Sequence, residues 1–380
     1  LYRYSGIKAN FSSNVTSLTD PTPLRRYLAE HIDCIGSYPE PRAQSLGKAL
    51  ADHHGLVEGE LLVTSGATEA IYLVAQAHRG ARAYLPPSPT FSEYADASQL
   101  YGLELEHLQT LEPPQKTSGI YWLCNPNNPT GEVYPLERLE QLFAAHPTLL
   151  FVLDSSYSYF TEAELPEPRV ILARYPNVLF IASLTKRFAM PGLRLGYLMG
   201  QTEEIAALAR YRQPWGVGAM ALQAGRWIVG EGFPELLDRD MLWSETERLR
   251  SALATLPGLR VGETATHFFL LELELWDEGR LLSATELKEH LALEYGLLVR
   301  DCTNFGYQRP TLRIATQRPE QSEQFRARGH RARSPAGRAH CSTKLRGEPA
   351  QIFSGPTARA GIHHRGPAGG CQATQQVGVH

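Results

Sequence analysis

The chain has 380 residues, of which 43% are hydrophobic and 20% are charged, and its net charge is -3. This composition supports a large core and two domains, and the charge does not favour binding of nucleic acids or other polyanions. No run of 18 apolar residues occurs, so we expect no membrane span. The five cysteines form no Cys-x-x-Cys pair, which argues against a disulfide framework or a metal site and favours a cytoplasmic protein.

Both ends of the chain are unusual. The sequence begins at Leu1 without a signal-peptide pattern or an initiator Met, so we expect a fragment at this end. Residues 325–380 contain nine Lys or Arg and one acidic residue, whereas the rest of the chain has 28 basic and 39 acidic residues. The segment also has too few large apolar residues for a core. A disordered tail, a basic nucleic-acid-binding arm and a frame-shifted translation are all open, and the abrupt change favours the frame shift.

In chain order, the first part of the sequence alternates apolar runs with helical patterns. Strands are predicted at 60–64, 82–85, 120–124, 149–154, 178–183 and 195–199, and helices at 67–78, 136–145 and 203–212. Near-continuous apolar strands that alternate with helices indicate a mostly parallel sheet buried on both faces. Polar residues follow several of these strands, at the edge where open α/β sheets bind ligands.

The later part of the sequence predicts a second, smaller unit. Strands are expected near 267–273, 297–300 and 311–315, with a helix near 284–294. This pattern indicates a smaller α+β domain, and we expect the N-terminal segment to complete it.

Lys186 is the strongest candidate for a reactive residue. It lies in Ser183-Leu-Thr-Lys186, directly after an apolar strand, and Pro191-Gly-Leu-Arg194 follows. A lysine amine that is buried near other cations has a lowered pKa and serves as a nucleophile. Ser183 and Arg194 add a hydroxyl and a guanidinium group that suit a phosphate. The alternative is an ordinary lysine on the surface.

Three further motifs accompany this lysine. Asp154 ends an apolar strand, where it is either a helix N-cap or a buried carboxylate in need of a partner such as a protonated pyridine nitrogen. Ala67 and Thr68 lie in a strand-to-helix turn, whose free amides would bind a phosphate. Phe91 offers a ring for stacking on a cofactor or for core packing. The run 125–131, Asn-Pro-Asn-Asn-Pro-Thr-Gly, by itself indicates only a turn.

These motifs, in this order, resemble those of the fold-type I pyridoxal-5′-phosphate (PLP) enzymes, the class I/II aminotransferase superfamily. The resemblance covers about residues 1–324 and implies an α/β, aspartate-aminotransferase-like fold. It implies that Lys186 carries PLP as a Schiff base and that Asp154 pairs with the pyridine nitrogen. Asn128 and Tyr157 match residues that bond or support the phenolic oxygen.

The remaining matches concern the phosphate, the ring and the assembly. Phosphate binding is implied for Ala67, Thr68, Ser183 and Arg194, and ring stacking for Phe91. Tyr38 matches a tyrosine that reaches the phosphate of the neighbouring subunit, which implies a homodimer. The implied division is an N-terminal segment at 1–40 that contributes to the small domain and the dimer interface, a large PLP-binding domain at 41–240, a small domain at 241–324 and the atypical tail at 325–380.

Within the superfamily, the chain is similar to two sister groups, histidinol-phosphate aminotransferase and threonine-phosphate decarboxylase of cobalamin biosynthesis. In both groups the resemblance implies that Arg313 binds a substrate carboxylate and Arg300 a substrate phosphate, with Asn14 as a further contact. Two arginines at strand ends suit a substrate with two anionic groups. The contexts of Trp215 and Asn304 favour the decarboxylase.

We therefore expect PLP-dependent decarboxylation of a phosphorylated amino acid, L-threonine O-3-phosphate. Transamination of histidinol phosphate with 2-oxoglutarate is the alternative. A PLP-fold transcriptional regulator is disfavoured, because such proteins carry a helix-turn-helix module before the PLP domain and this sequence begins within the PLP fold. We expect no metal, nucleic acid or membrane partner.

Overall fold

The computed structural model describes residues 4–277 and 279–331. The strands of this part are β1 Ala9–Asn10, β2 Leu61–Thr64, β3 Arg82–Leu85, β4 Glu104–His107, β5 Gly119–Cys124, β6 Leu149–Asp154, β7 Val178–Ser183, β8 Gly196–Met199, β9 Leu259–Val261, β10 Phe268–Leu273, β11 Trp276–Asp277, β12 Arg280–Leu281, β13 Leu297–Leu298, β14 Arg300–Asp301 and β15 Thr311–Ala315. Its helices are α1 Thr22–Glu30, α2 Gln44–His54, α3 Gly66–Ala77, α4 Glu93–Leu100, α5 Leu136–Ala145, α6 Pro168–Arg174, α7 Leu184–Arg187, α8 Thr202–Ala209, α9 Ala219–Gly230, α10 Arg239–Ala254, α11 Ala284–Tyr295 and α12 Pro319–Arg331.

The larger sheet has seven strands in the order β2-β8-β7-β6-β5-β3-β4. Neighbouring strands from β7 to β4 run parallel, whereas β8 is antiparallel to both β2 and β7. The predicted α/β fold with a mostly parallel sheet is therefore confirmed. The carboxyl ends of β5, β6 and β7 lie side by side, which brings the residues that follow them together.

Apolar side chains project from both faces of this sheet into two separate cores. In β6, Phe151 and Leu153 enter one core together with α2, α5, α6 and α9. Val152, between them, enters the opposite core with α3, α4 and α8. Burial of each such side chain stabilises the fold by roughly 1.5–3 kcal/mol, which explains why the strand has no polar residue before Asp154.

The second sheet is antiparallel, in the order β14-β15-β10-β9. It shares a separate core with α10 and α11, and the buried side chain of Phe11 belongs to this core. The N-terminal strand β1 pairs with β13 in parallel, with Ala9 opposite Leu297. Residues from the two ends of the chain thus build one unit, and the segment after β1 runs from this unit toward the larger sheet.

The last described helix, α12, extends the ordered fold beyond the composition change. It continues to Arg331, so the boundary expected near residue 325 falls inside it. Phe325 is buried, and its ring centroid lies 5.0 Å from that of Phe11. The contact between Phe325 and Phe11 continues the packing of the helix at this point. Residues 332–380, to which most of the tail interpretation applies, lie outside the described residues.

Among the described helices, none combines the length and the apolar composition that crossing a bilayer requires. The expectation of no membrane span rested on the same feature of the sequence.

We predict that Phe11→Ala lowers the free energy of unfolding by about 3–5 kcal/mol, because the phenyl ring is fully buried and its removal leaves a cavity beside Phe325. Denaturant-induced unfolding measures the change. Leu293→Ala is the control, since this side chain is 66% exposed and should cost about 0.5 kcal/mol or less. Equal effects of the two substitutions would contradict the role of the N-terminal segment in this core.

Candidate active site

A cavity of about 380 Å³ opens at the carboxyl ends of β5, β6 and β7. This volume is within the range of small-molecule sites. Eleven residues predicted from the sequence line it: Ala67, Thr68, Phe91, Asn128, Asp154, Tyr157, Ser183, Lys186, Arg194, Arg300 and Arg313. The strands deliver Asp154 and Ser183, the short helix α7 carries Lys186, and the second sheet contributes the last two arginines.

Lys186 lies on the first turn after β7, where its amine is surrounded by protein. Its Nζ donates a hydrogen bond of 2.9 Å to the carbonyl oxygen of Ser13. Burial, together with the positive charges of Arg313 and Arg194, lowers the pKa of Lys186 to about 8, whereas Asp154 opposes the change. A larger fraction of this amine is therefore neutral near neutral pH than in an exposed lysine, which makes it a better nucleophile.

Asp154 is a buried carboxylate at the end of β6, with 3% of its surface exposed. Its Oδ2 accepts a 2.7 Å hydrogen bond from the Tyr94 hydroxyl, and its Oδ1 accepts one of 2.9 Å from the Ser156 amide. Burial raises the pKa of Asp154, although both hydrogen bonds oppose this effect. Among the described residues, no cation forms an ion pair with this carboxylate, so a positively charged ligand atom would fit here.

The N-terminus of α3 forms the phosphate-binding side of the cavity. No side chain caps this end of the helix, which leaves the amides near Ala67 and Thr68 for a ligand. The guanidinium of Arg194 covers Gly66, where an added Cβ would lie 2.5 Å from Nη2. Gly66 has a φ of +80°, a conformation that favours glycine. A dianionic phosphate would suit this place, because the N-terminus of α3, the guanidinium of Arg194 and the hydroxyl of Ser183 are close to one another.

Arg313 and Arg300 lie on the adjacent strands β15 and β14, opposite each other in the ladder. Arg313 is buried and donates to Asn128 Oδ1 and to the carbonyl oxygen of Ser12. Its Nε has no hydrogen-bond partner. Arg300 donates to Asn304 Oδ1 at 3.1 Å and is more exposed. Within the described residues, neither arginine is paired with a carboxylate, so both are available to anionic ligand groups.

Asn14 lies beside the cavity rather than on its wall. Its Nδ2 donates to the Tyr157 hydroxyl at 3.2 Å, and its backbone oxygen is 3.2 Å from Nε2 of His267. The side chain is fully buried and its Oδ1 has no hydrogen-bond partner. Asn14 thus orients Tyr157, and the expected contact with a substrate stays a prediction.

Tyr38 does not line this cavity. Its ring is 88% exposed and lies 5.7 Å, between centroids, from the ring of Trp215, in a separate surface groove. The predicted role of Tyr38 needs a second copy of the chain, so that role and the homodimer stay predictions.

Several lining residues were not selected from the sequence: Ser12, Ser13, Tyr94, Cys124, Thr185 and Phe305. The two serines contribute backbone carbonyl oxygens, which no sequence pattern identifies. Tyr94 lies three residues after Phe91, but only the tertiary contact with Asp154 distinguishes its hydroxyl from that of a core tyrosine.

Comparison with known proteins bears directly on this arrangement. The family model for aminotransferase class I and II matches residues 7–328. The chain belongs to the class I and II aminotransferase family. Members of this family use PLP, as in the solved complex of histidinol-phosphate aminotransferase from Sinorhizobium meliloti with pyridoxal-5′-phosphate.

Individual relatives fall into the two sister groups. The chain is 32% identical to threonine-phosphate decarboxylase of Salmonella typhimurium, over 84% of this chain and 89% of the relative. It is 30% identical to a histidinol-phosphate aminotransferase of Desulfitobacterium hafniense, over 82% and 88%. The solved L-threonine-O-3-phosphate decarboxylase of Porphyromonas gingivalis superposes with a TM-score of 0.78 at 34% identity, covering 84% of this chain and 97% of that structure.

The residues of the cavity fit PLP. The unpaired carboxylate of Asp154 suits a protonated ring nitrogen, the uncapped α3 terminus with Arg194 suits the phosphate, and the desolvated amine of Lys186 suits the aldehyde.

We predict that the apoprotein captures PLP faster as the pH rises through about 8, because the folded-state pKa of Lys186 is lowered and only the neutral amine reacts. Stopped-flow absorbance between pH 6 and 9.5 measures the rate. Nα-acetyl-lysine in the same buffers corrects for titration of PLP itself, and its rate should still be rising at the top of this pH range, because its own pKa is about 10.4. A protein profile that follows the free amine would contradict the desolvation of Lys186.

Proposed function

We propose that this protein is a PLP-dependent decarboxylase of a phosphorylated amino acid, L-threonine O-3-phosphate. Lys186 holds the cofactor covalently, and Asp154 pairs with its ring nitrogen. The observation that carries a substrate with two anionic groups is the presence of Arg300 and Arg313, neither of which is paired with a carboxylate among the described residues, at the same cavity as the reactive amine. Similarity to threonine-phosphate decarboxylases at 30–34% identity supports the choice of substrate.

The two arginines differ in surroundings, which assigns each of them a different anion. Arg313 is buried, and its two present partners, an amide oxygen and a carbonyl oxygen, are neutral. A carboxylate would give it a charge-assisted, bidentate contact. Arg300 is nearer the surface and is supported by Asn304 and by the ring of Phe305, whose centroid lies 5.7 Å from Cζ. We assign the substrate carboxylate to Arg313 and the phosphate to Arg300.

When bound, PLP supplies an electron sink for the bond that breaks at the substrate α-carbon. The protein determines which bond that is by holding the substrate at two fixed points. With carboxylate and phosphate on adjacent strands, the substrate has little freedom to rotate. Lys186 would hold the cofactor, and its amine, once released, could at its lowered pKa carry a proton to or from the reacting carbon.

Transamination of histidinol phosphate with 2-oxoglutarate uses the same groups. In that reaction Arg313 would take the carboxylate of 2-oxoglutarate and Arg300 the phosphate of the amine. Relatives of that name match at 30% identity, so this activity is the alternative outcome of the assay below.

We predict that PLP-loaded protein releases carbon dioxide from L-threonine O-3-phosphate and yields 1-aminopropan-2-yl phosphate. Mass spectrometry of the products with ¹³C-carboxyl substrate measures both, and Lys186→Ala protein is the control without the reactive amine. The opposite result is formation of glutamate from histidinol phosphate and 2-oxoglutarate, with no release of carbon dioxide from threonine phosphate. That result would assign the protein to the aminotransferases instead.

We predict that Arg300→Ala weakens binding of the phosphorylated substrate by about tenfold to a hundredfold, since a charge-assisted hydrogen bond contributes about 1.5–3 kcal/mol. Steady-state kinetics measure the change in KM. Arg309→Ala is the matched control, because this nearby arginine is exposed and pairs with Glu274. Equal KM values for the two variants would contradict the phosphate site at Arg300.

A further inference from the structure

Tyr94 connects Asp154 to a buried chain of hydrogen bonds that the proposed reaction does not use. Its side chain is fully buried, and its hydroxyl donates to Oδ2 of Asp154 at 2.7 Å. Its ring stacks on that of Trp122 with centroids 5.4 Å apart and an angle of 14°. Ser98 donates to the backbone oxygen of Tyr94 at 2.6 Å and accepts from Nε1 of Trp122 at 3.1 Å. Packing and hydrogen bonds therefore fix the ring.

We propose that Tyr94 is a positioning residue that keeps the carboxylate of Asp154 ionised and correctly oriented for the ring nitrogen of PLP. The inference rests on the proposed cofactor site and assigns to that site a residue that does not itself need to touch the cofactor.

A carboxylate is costly in the buried environment of Asp154. Burial disfavours the charged form of Asp154, and two hydrogen bonds counteract the resulting rise in its pKa. The Ser156 amide serves Oδ1, and among the described residues Tyr94 is the hydrogen-bond donor to Oδ2. The other titratable groups that act on Asp154 or on Tyr94 are Cys124, Tyr157 and Lys186.

Loss of the Tyr94 hydroxyl would therefore favour the protonated form of Asp154. A neutral carboxyl group no longer stabilises a positive charge on the ring nitrogen, so the ring would be neutral more of the time. A neutral ring repels a proton on the nitrogen that links Lys186 to the cofactor less strongly than a charged ring does. The visible band of the Lys186-bound cofactor would therefore titrate at a higher pH. This spectroscopic midpoint reports the charge near the ring and not the stability of the fold.

The test is Tyr94→Phe, which keeps the ring and its stacking on Trp122. We expect the midpoint of the visible band to rise by about 1 pH unit and the dissociation constant for PLP to rise about tenfold, since a hydrogen bond to a charged group is lost. Tyr84→Phe is the matched control. That tyrosine, on β3, is equally buried, but its hydroxyl lies 2.5 Å from Oγ1 of Thr117, away from the cavity.

A second measurement separates positioning from a general loss of structure. In an Asp154→Asn background there is no carboxylate to support, so adding Tyr94→Phe should leave the midpoint unchanged. A raised midpoint in Tyr94→Phe alone, absent in Tyr84→Phe, supports the inference. An unchanged midpoint, an equal shift in both variants or a shift that persists in the Asp154→Asn background overturns it.

The same experiment distinguishes this inference from the proposed cofactor site. Wild-type protein that binds no PLP at Lys186, judged by borohydride fixation and peptide mapping, would contradict both. A wild-type protein with the expected covalent link and a Tyr94→Phe variant that titrates identically would contradict only the role of Tyr94.

Discussion

The site depends on one carboxylate held at the end of an apolar sheet without a cationic partner. Asp154 follows five β6 residues whose side chains all enter the two cores, so neither face of the sheet offers it a counter-ion. Among the described residues, two neutral donors bond to it, and the more distant charge of Lys186 also favours its ionised form. A buried charge in that state is costly, and binding of a positively charged ring nitrogen would relieve the cost. If Asp154 binds the ring nitrogen of PLP as proposed, one contact would both stabilise the protein and activate the cofactor.

Positive charge is concentrated around the carboxylate of Asp154. Lys186, Arg194, Arg300 and Arg313 line the cavity, whereas its acidic residues are Glu93 and Asp154. Arg194 and Arg313 lower the pKa of Lys186 because their positive charges are held near its amine. An excess of positive charge that would destabilise an ordinary core is suited to a phosphorylated cofactor and an anionic substrate.

The N-terminal segment joins the two sheets at the site. After β1 pairs with β13, the carbonyl oxygens of Ser12 and Ser13 accept hydrogen bonds from Arg313 and Lys186, respectively. One residue later, Asn14 bonds Tyr157. Three consecutive residues therefore contact groups from both sheets, so a movement of either sheet would change the surroundings of the reactive amine.

The sequence by itself determined the sheet and the groups attached to it. Apolar runs such as 149–154 are long enough to specify buried strands, and the residue after each run must emerge at the ligand-binding edge. Lys186 and Asp154 were predictable for that reason. The structure alone decided the contacts between distant residues: Tyr94 on Asp154, the serine carbonyls on Lys186 and Arg313, and the side chain of Asn14 on Tyr157 rather than in the cavity wall. Such contacts depend on how helices and sheets pack, and backbone carbonyl oxygens and single hydroxyl groups leave no periodic pattern in a sequence.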